Sequence, residues 1–370
     1  MKLEIAREAL LPALQQVAGV VERRQTLPIL ANVLLDLKGD QLALTGTDLE
    51  VELIGFAVAE KGIGDGRVTV PARKMLEICK AFDDGSLLAI ESQGEHLLLR
   101  SGRSRYRLAT LPADDFPNVE STVGLVQFEM EAPRLRRLID QTGFAMAQQD
   151  VRFYLNGMLF ETGEGRLRTV ATDGHRLAMC TLPVESLSSS RGEQVIVPRK
   201  GTLEIARLLK DEDTVQVTLG QHHIRVEGAN FVVTSKLIDG KFPDYEKVIP
   251  RQGVADEREL VGDRRQLREA FARTAILSNE KYRGVRLSIR EDELTVQASN
   301  PEQEEAIEPV PVAYQGEALE IGFNVSYLID VMSAVTADQV QFRFSSAESS
   351  VLIQPFEEAD CQYVVMPMKL

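Results

Sequence analysis

Apolar residues return every three to four positions at Leu10, Leu14 and Val17, and again at Leu135, Leu138 and Ile139. That spacing marks one buried helix face and predicts a first helix over residues 8–21. A short strand, Leu3-Glu4-Ile5, precedes it, and counterparts of this strand–helix start lie near Phe128-Glu129-Met130 and Glu259-Leu260-Val261. Pro133 stands where a first helical turn tolerates it. Pairs of strands follow each helix. Residues 32–37 and 41–45 flank the turn Lys38-Gly39-Asp40, 158–161 and 167–170 flank Gly163-Glu164-Gly165, and 285–289 and 294–297 flank Glu291-Asp292-Glu293. A second helix comes after a Val-Pro pair. A hairpin or meander closes the succession, as at 87–90 with 96–100 and at 214–219 with 224–227.

The residues repeat with the elements, at an interval of about 125. Val70-Pro71, Lys74 and Leu76-Glu77-Ile78 recur as Val197-Pro198-Arg199-Lys200 and Leu203-Glu204-Ile205, with a worn third copy at Phe323-Asn324 and Ile329-Asp330-Val331. The stretch from Leu42 to Thr47-Asp48 answers to the stretch from Leu167 to Thr172-Asp173, and then to the stretch from Leu294 to Ser299-Asn300. Phe116-Pro117 answers to Phe242-Pro243. A period of roughly 20–50 residues would indicate a solenoid, whereas this one is domain-sized. The expected organisation is three tandem copies of one domain, 1–122, 123–253 and 254–370, divided in the polar, turn-rich stretches 118–124 and 250–257. Two helices and many antiparallel strands per copy make an α+β fold, with the helices covering one face of each sheet.

Composition changes this picture little. A hydrophobic content of 44% and a charged content of 26% are ordinary for a globular protein. No apolar run approaches the ~18 residues of a membrane span. Met1-Lys2-Leu3-Glu4-Ile5 carries acid where a signal peptide is apolar, so a cytoplasmic protein is expected. Cys79, Cys180 and Cys361 are odd in number, far apart and in apolar contexts. They read as buried reduced thiols, and no Cys-x-x-Cys pair offers a zinc site.

Charge is more informative. The net charge of −14 argues against nucleic acid, but the cations gather on the predicted helices. Arg73, Lys74 and Lys80 share one helix, and Arg134, Arg136 and Arg137 another. Arg199, Lys200, Arg207 and Lys210 mark a third, and Arg264, Arg265, Arg268 and Arg273 a fourth. Acids collect elsewhere, as at Glu302, Glu304, Glu305 and Glu308. Such a division attracts phosphates to one surface. Solvated helix faces are also charged, so the pattern alone does not decide.

Three places suggest chemistry. Asp173 and His175, in Thr172-Asp173-Gly174-His175-Arg176, could form an acid/base pair, and a triplicated hydrolase is the alternative reading they support. No serine or cysteine nucleophile stands in a matching motif, and Asp-Gly reads more simply as a turn. His222-His223 point to opposite faces of a strand and lack a third ligand. Gly62-Ile63-Gly64-Asp65-Gly66 lacks the ending of a phosphate loop and runs into a strand. A triplicated fold without a unique catalytic cluster is expected of a binding protein, with no catalytic residue, no metal and no cofactor.

Several long motifs carry a family resemblance. They are Thr26-Leu27-Pro28-Ile29-Leu30, Leu44-Thr45-Gly46-Thr47-Asp48-Leu49-Glu50, Ser101-Gly102-Arg103-Ser104-Arg105, Tyr154-Leu155-Asn156-Gly157 and Ala171-Thr172-Asp173-Gly174-His175-Arg176-Leu177. Ile276-Leu277-Ser278-Asn279-Glu280-Lys281, Asn300-Pro301-Glu302-Gln303-Glu304-Glu305-Ala306 and the terminal Tyr363-Val364-Val365-Met366-Pro367-Met368-Lys369-Leu370 complete the set. From end to end the chain resembles the β subunit of bacterial DNA polymerase III, the sliding-clamp family. The resemblance implies a head-to-tail homodimer that closes as a ring around duplex DNA without catalysis. It also implies short-peptide partners from the replicative polymerase, other polymerases, the clamp loader and repair proteins.

Residue by residue, the resemblance and the charge pattern give three sets of sites. Sequence-independent DNA contacts are expected from Arg24, Arg73, Arg137, Gln149, Arg152, Tyr154, Arg199 and Lys200. A partner-peptide pocket is expected from Leu155, Thr172, Gly174, His175, Arg176, Leu177, Pro243, Val248, Asn324, Tyr327, Ser350, Val364, Met366, Pro367 and Met368. A dimer contact is expected between Tyr106 and Leu108 and the pair Ile276 and Leu277, with Lys74, Arg103 and Arg105 facing Glu302, Glu304 and Glu305. The sequence departs from the family pattern at Arg23-Arg24, Phe153, Glu348 and Lys369.

Overall fold

The computed structural model describes residues 1–21, 27–117, 124–188, 192–253, 256–358 and 360–369. Six α-helices appear among them, two per repeat: α1 Arg7–Ala18, α2 Ala72–Ala81, α3 Ala132–Thr142, α4 Arg199–Leu208, α5 Arg264–Ala275 and α6 Val325–Ala334. Helix α1 stops three residues before its predicted end, where Gly19 N–H bonds back to Gln16 O and Val20 N–H to Val17 O. In the third repeat the Val-Pro signal has worn to Phe323-Asn324, and Asn324 replaces it as a cap. Its side-chain oxygen accepts from Ser326 N at 2.9 Å, satisfying one of the orphan N–H groups at the start of α6. The predicted strand pairs form at Asn32–Lys38 with Gln41–Thr47, Gly157–Gly163 with Arg166–Thr172, and Gly284–Arg290 with Glu293–Ser299.

The sheets do not respect the repeat boundaries. Contacts gather the chain into two compact units, Met1–Arg136 with Lys200–Leu237, and Arg137–Arg199 with Ile238–Leu370. The first unit holds an eight-stranded sheet in which Phe231–Lys236, from the second repeat, pairs with Val51–Val58, from the first. The second unit holds a nine-stranded sheet in which Arg176–Pro183, from the second repeat, pairs with Cys361–Val365, from the third. Each unit also has a smaller sheet, of five strands in the first and four in the second. These end in the exposed edge strands Ser104–Ala109 and Glu305–Pro311. The boundary expected between residues 122 and 123 lies outside the described residues, as does the start of the third expected domain.

The expectation of three reduced thiols holds for Cys79, which is free and buried. It is corrected for the other two: Cys180 and Cys361 form a disulfide. They are 181 residues apart in sequence, which hides the fact that they stand directly opposite each other in adjacent antiparallel strands. Burial pushes the Cys79 thiol up to about 12, so it carries almost no thiolate. Among the described residues no helix is long and apolar enough to cross a membrane.

Candidate functional site: an apolar groove beside the terminal strand

The site lies within the second unit and is built on the turn at 172–176. Thr172 Oγ1 donates to Arg176 O at 2.6 Å and accepts from Gly174 N at 3.1 Å. Asp173 Oδ1 accepts from His175 N and Arg176 N at 2.9 and 3.0 Å. These bonds bend the chain between two strands and require φ +86° at Gly174, a left-handed value natural to glycine. A Cβ at Gly174 would stand 2.9 Å from the Arg152 guanidinium, so the glycine also lets Arg152 lie across the turn. Arg152 is held there by Asp150, at 3.0 and 2.8 Å, and by Asp173 O at 3.2 Å. The hydrogen bonds from Arg152 pull the Asp150 carboxyl down to about 2.

Arg176 fixes the floor. Its guanidinium pairs with Asp173 at 3.1 Å and with Asp330, and donates to Phe144 O at 3.0 Å. It lies 4.5 Å from the ring centre of Tyr327 and 5.3 Å from that of Phe144, a cation–π sandwich. The His175 ring stacks on Tyr327 at 6.4 Å, and burial raises the Tyr327 hydroxyl. The terminal strand supplies the far wall: Leu177 stands opposite Val364, and Met366 N donates to His175 O at 3.0 Å. Beneath lies an apolar cluster that includes Leu159, Val170, Leu177, Met179, Ile196, Phe242, Tyr245, Leu352 and Val364.

The result is a cavity of about 240 Å³ lined by Arg152, Tyr154, Leu155, Thr172, Gly174, His175, Arg176, Leu177, Pro243, Tyr245, Val248, Val364 and Met366. Ten of these belong to the expected pocket: Leu155, Thr172, Gly174, His175, Arg176, Leu177, Pro243, Val248, Val364 and Met366. The other five members stand outside this lining. Tyr327 supports His175 and Arg176, and Asn324 caps α6. Ser350 lines a neighbouring cavity, and Pro367 and Met368 line a third with Glu348 and Lys369. Tyr245 was missed by sequence reading. It sits two residues beyond Pro243, and its hydroxyl accepts from Arg168 at 2.8 Å and donates to Glu161 at 3.1 Å. Burial raises the Tyr245 hydroxyl, which keeps that donor proton in place.

The residues expected at DNA fall in both units. Arg24 lies outside the described residues. Arg152 and Tyr154 line the groove. Arg137 faces Asp360 at 3.6 Å and Glu358 at 3.9 Å. Arg199 points toward Gly143 O and Met146 O at 3.4 and 3.5 Å, and Lys200 pairs with Asp48. Arg73 and Gln149 are exposed. Of the residues expected at the dimer contact, Ile276 is 75% exposed and Tyr106 37%. Leu108 is buried in its own unit. Lys74, Arg103, Arg105, Glu302, Glu304 and Glu305 are exposed, and Leu277 is half-buried.

The hydrolase alternative is corrected. The Asp173 carboxylate is spent on the turn and on Arg176, while His175 stacks on Tyr327. Neither group is arranged to activate a nucleophile. Among the described residues no group of three His, Cys, Asp or Glu side chains could hold a metal.

Comparison with known proteins gives one consistent family. Residues 1–120, 129–244 and 246–369 match the N-terminal, central and C-terminal domains of the DNA polymerase III beta subunit. The chain is 59% identical to the beta sliding clamp of Pseudomonas aeruginosa, over the full length of both. It is similar to the crystal structure of the Pseudomonas aeruginosa sliding clamp bound to griselimycin, with a TM-score of 0.96 at 59% identity and full coverage of both chains. It is also similar to the C. crescentus beta sliding clamp with polyethylene glycol bound to a putative beta-motif tethering region, with a TM-score of 0.94 at 40% identity and full coverage of both.

Proposed function

The chain belongs to the DNA polymerase III beta subunit family, the beta sliding clamps, and from that premise we propose that it closes as a head-to-tail homodimer around duplex DNA and tethers its partners by short peptides. It is a non-catalytic clamp subunit of DNA replication. The partners are the replicative polymerase, the clamp loader, other polymerases and repair proteins, and the work is done in the cytoplasm.

The groove is the observation that carries the partner reading. It is apolar within, polar at the rim and walled by Met366, an adaptable side chain suited to varied peptides. Burying one large apolar side chain of a partner in it contributes roughly 1.5–3 kcal/mol. The exposed edge strands Ser104–Ala109 and Glu305–Pro311, with Tyr106 and Ile276 uncovered, support the dimer contact. Cations on one edge and the acids Glu302, Glu304 and Glu305 on the other make that contact complementary.

DNA association is sequence-blind. Arg73, Gln149 and Arg199, with Arg24, Arg137, Arg152, Tyr154 and Lys200, act on phosphates rather than bases. Held by topology, the clamp slides and keeps a bound polymerase at high local concentration. The test is retention on nicked circular DNA after loading, compared with the same DNA linearised. Retention on the circle and loss from linear ends is expected. Equal loss from both overturns encirclement.

A further inference from the structure

Next to the groove lies a second cavity, of about 390 Å³. Val248 lines both cavities, so a peptide leaving the apolar groove past Val248 enters it. Its walls carry the cations Lys247, Arg251 and Arg343 against a single carboxylate, Glu257. That carboxylate is already engaged, accepting from Gly253 N at 3.0 Å within its own turn. Lys247 is paired with Asp244 at 2.7 Å and Arg343 with Glu259 at 3.0 Å. Arg251 has no ion-pair partner among the described residues. Arg343 Nε is a buried donor with no hydrogen-bond partner among the described residues. Hydroxyls of Ser345, Ser349 and Ser350 complete the wall.

We propose that this cavity is an acidic subsite of the partner groove: it takes the carboxylate side chains of residues flanking the apolar anchors of a docked peptide. The proposal rests on the reading of the groove as a peptide site. The chain carries a net charge of −14, so an acidic segment is repelled by the protein as a whole and favoured only at a local cationic wall. The subsite therefore acts on selection and register more than on bulk attraction.

The experiment uses the full-length protein and fluorescently labelled synthetic peptides with a glutamine and a Leu-Phe anchor. One peptide carries Asp-Glu before the anchor, one carries Asp-Glu after it, and controls carry Asn-Gln at the same places. At low salt, one of the acidic peptides is expected to bind roughly threefold to tenfold more tightly than its neutral control, the scale of one or two partly exposed ion pairs. The advantage should shrink at 0.5 M salt. It should vanish in the Lys247→Ala, Arg251→Ala double variant while neutral-peptide affinity stays level. Both side chains are exposed, so folding is spared, and Arg343 is left intact because it also bonds Gln252. Equal affinity of acidic and neutral peptides overturns the subsite alone, as does an advantage that survives the double variant. Failure of every peptide to bind overturns the groove reading and the subsite with it.

Discussion

The turn at 47–51 and the turn at 172–176 are one backbone device made twice, and only the second opens onto the groove. In the first, Thr47 Oγ1 donates to Val51 O at 2.9 Å and accepts from Leu49 N at 3.0 Å, while Asp48 Oδ1 accepts from Glu50 N and Val51 N at 2.9 and 2.7 Å. Every bond has its counterpart at Thr172 and Asp173. Even the neighbouring strand repeats: Lys236 N donates to Glu50 O at 2.9 Å, as Met366 N does to His175 O at 3.0 Å. The differences are all in side chains. Leu49, at φ +76°, stands where Gly174 stands at φ +86°. Glu50 and Lys236 form an ion pair at 3.4 Å where His175 and Met366 wall the groove. The shared bonds are structural, and binding is a property of what one copy hangs on them.

The largest expected effect comes from removing the wall that the first copy lacks. A chain ending at Val365 loses Met366 together with two backbone bonds, Met366 N to His175 O and Met368 N to Gly322 O. Loss of such an apolar anchor site costs on the order of 2 kcal/mol, roughly thirtyfold in peptide affinity, with dimer mass and DNA retention kept. Loss of all three together would make the tail a core element instead.

Next in size is Gly174→Leu, which places the first copy's residue in the second turn. The left-handed φ and the contact with Arg152 should cost about 1–2 kcal/mol in urea unfolding and weaken peptide binding with it. The reverse exchange, Leu49→Gly, should stabilise by roughly 0.5–1 kcal/mol, the left-handed relief less the entropic cost of glycine. A loss of stability in Leu49→Gly would show that its side chain matters more than its backbone, and the two turns would not be equivalent.

The smallest effect concerns pH. Asp150 is held down to about 2 from an ordinary 3.8. A lowered carboxyl contributes stability that is fully present above 3.8 and lost as pH falls through about 2. The Asp150–Arg152 pair should therefore persist at pH 4, and Asp150→Asn should leave the ratio of peptide affinities at pH 7 and pH 4 unchanged. A change in that ratio would give Asp150 a different role.

Much of this was legible because short-range patterns carried it. The period of 3–4 in Leu10, Leu14 and Val17 marked α1, and the repeated Thr-Asp pair marked both turns. Ten groove residues followed from motifs that the family resemblance supplied. What was not legible depends on strands distant in sequence. Nothing near Cys180 announces Cys361, and nothing near Val51 announces Phe231. The cations of α3 and α4 were visible as charge, but the acids that engage them, Asp360 for Arg137 and Asp48 for Lys200, come from other elements. Arg152, expected at DNA, lies bound to Asp150 and across Gly174 in the fold.

The sheets that cross repeat boundaries bear on how this chain can be taken apart. The middle repeat, expressed alone, would present two bare strand edges at once: Phe231–Lys236 without Val51–Val58, and Arg176–Pro183 without Cys361–Val365. Unpaired edges recruit other chains, so an isolated repeat is an aggregation hazard rather than a module. Each contact unit keeps its ladder whole only by joining two separate stretches of chain, and hydrogen exchange should open the protein in two cooperative blocks rather than three.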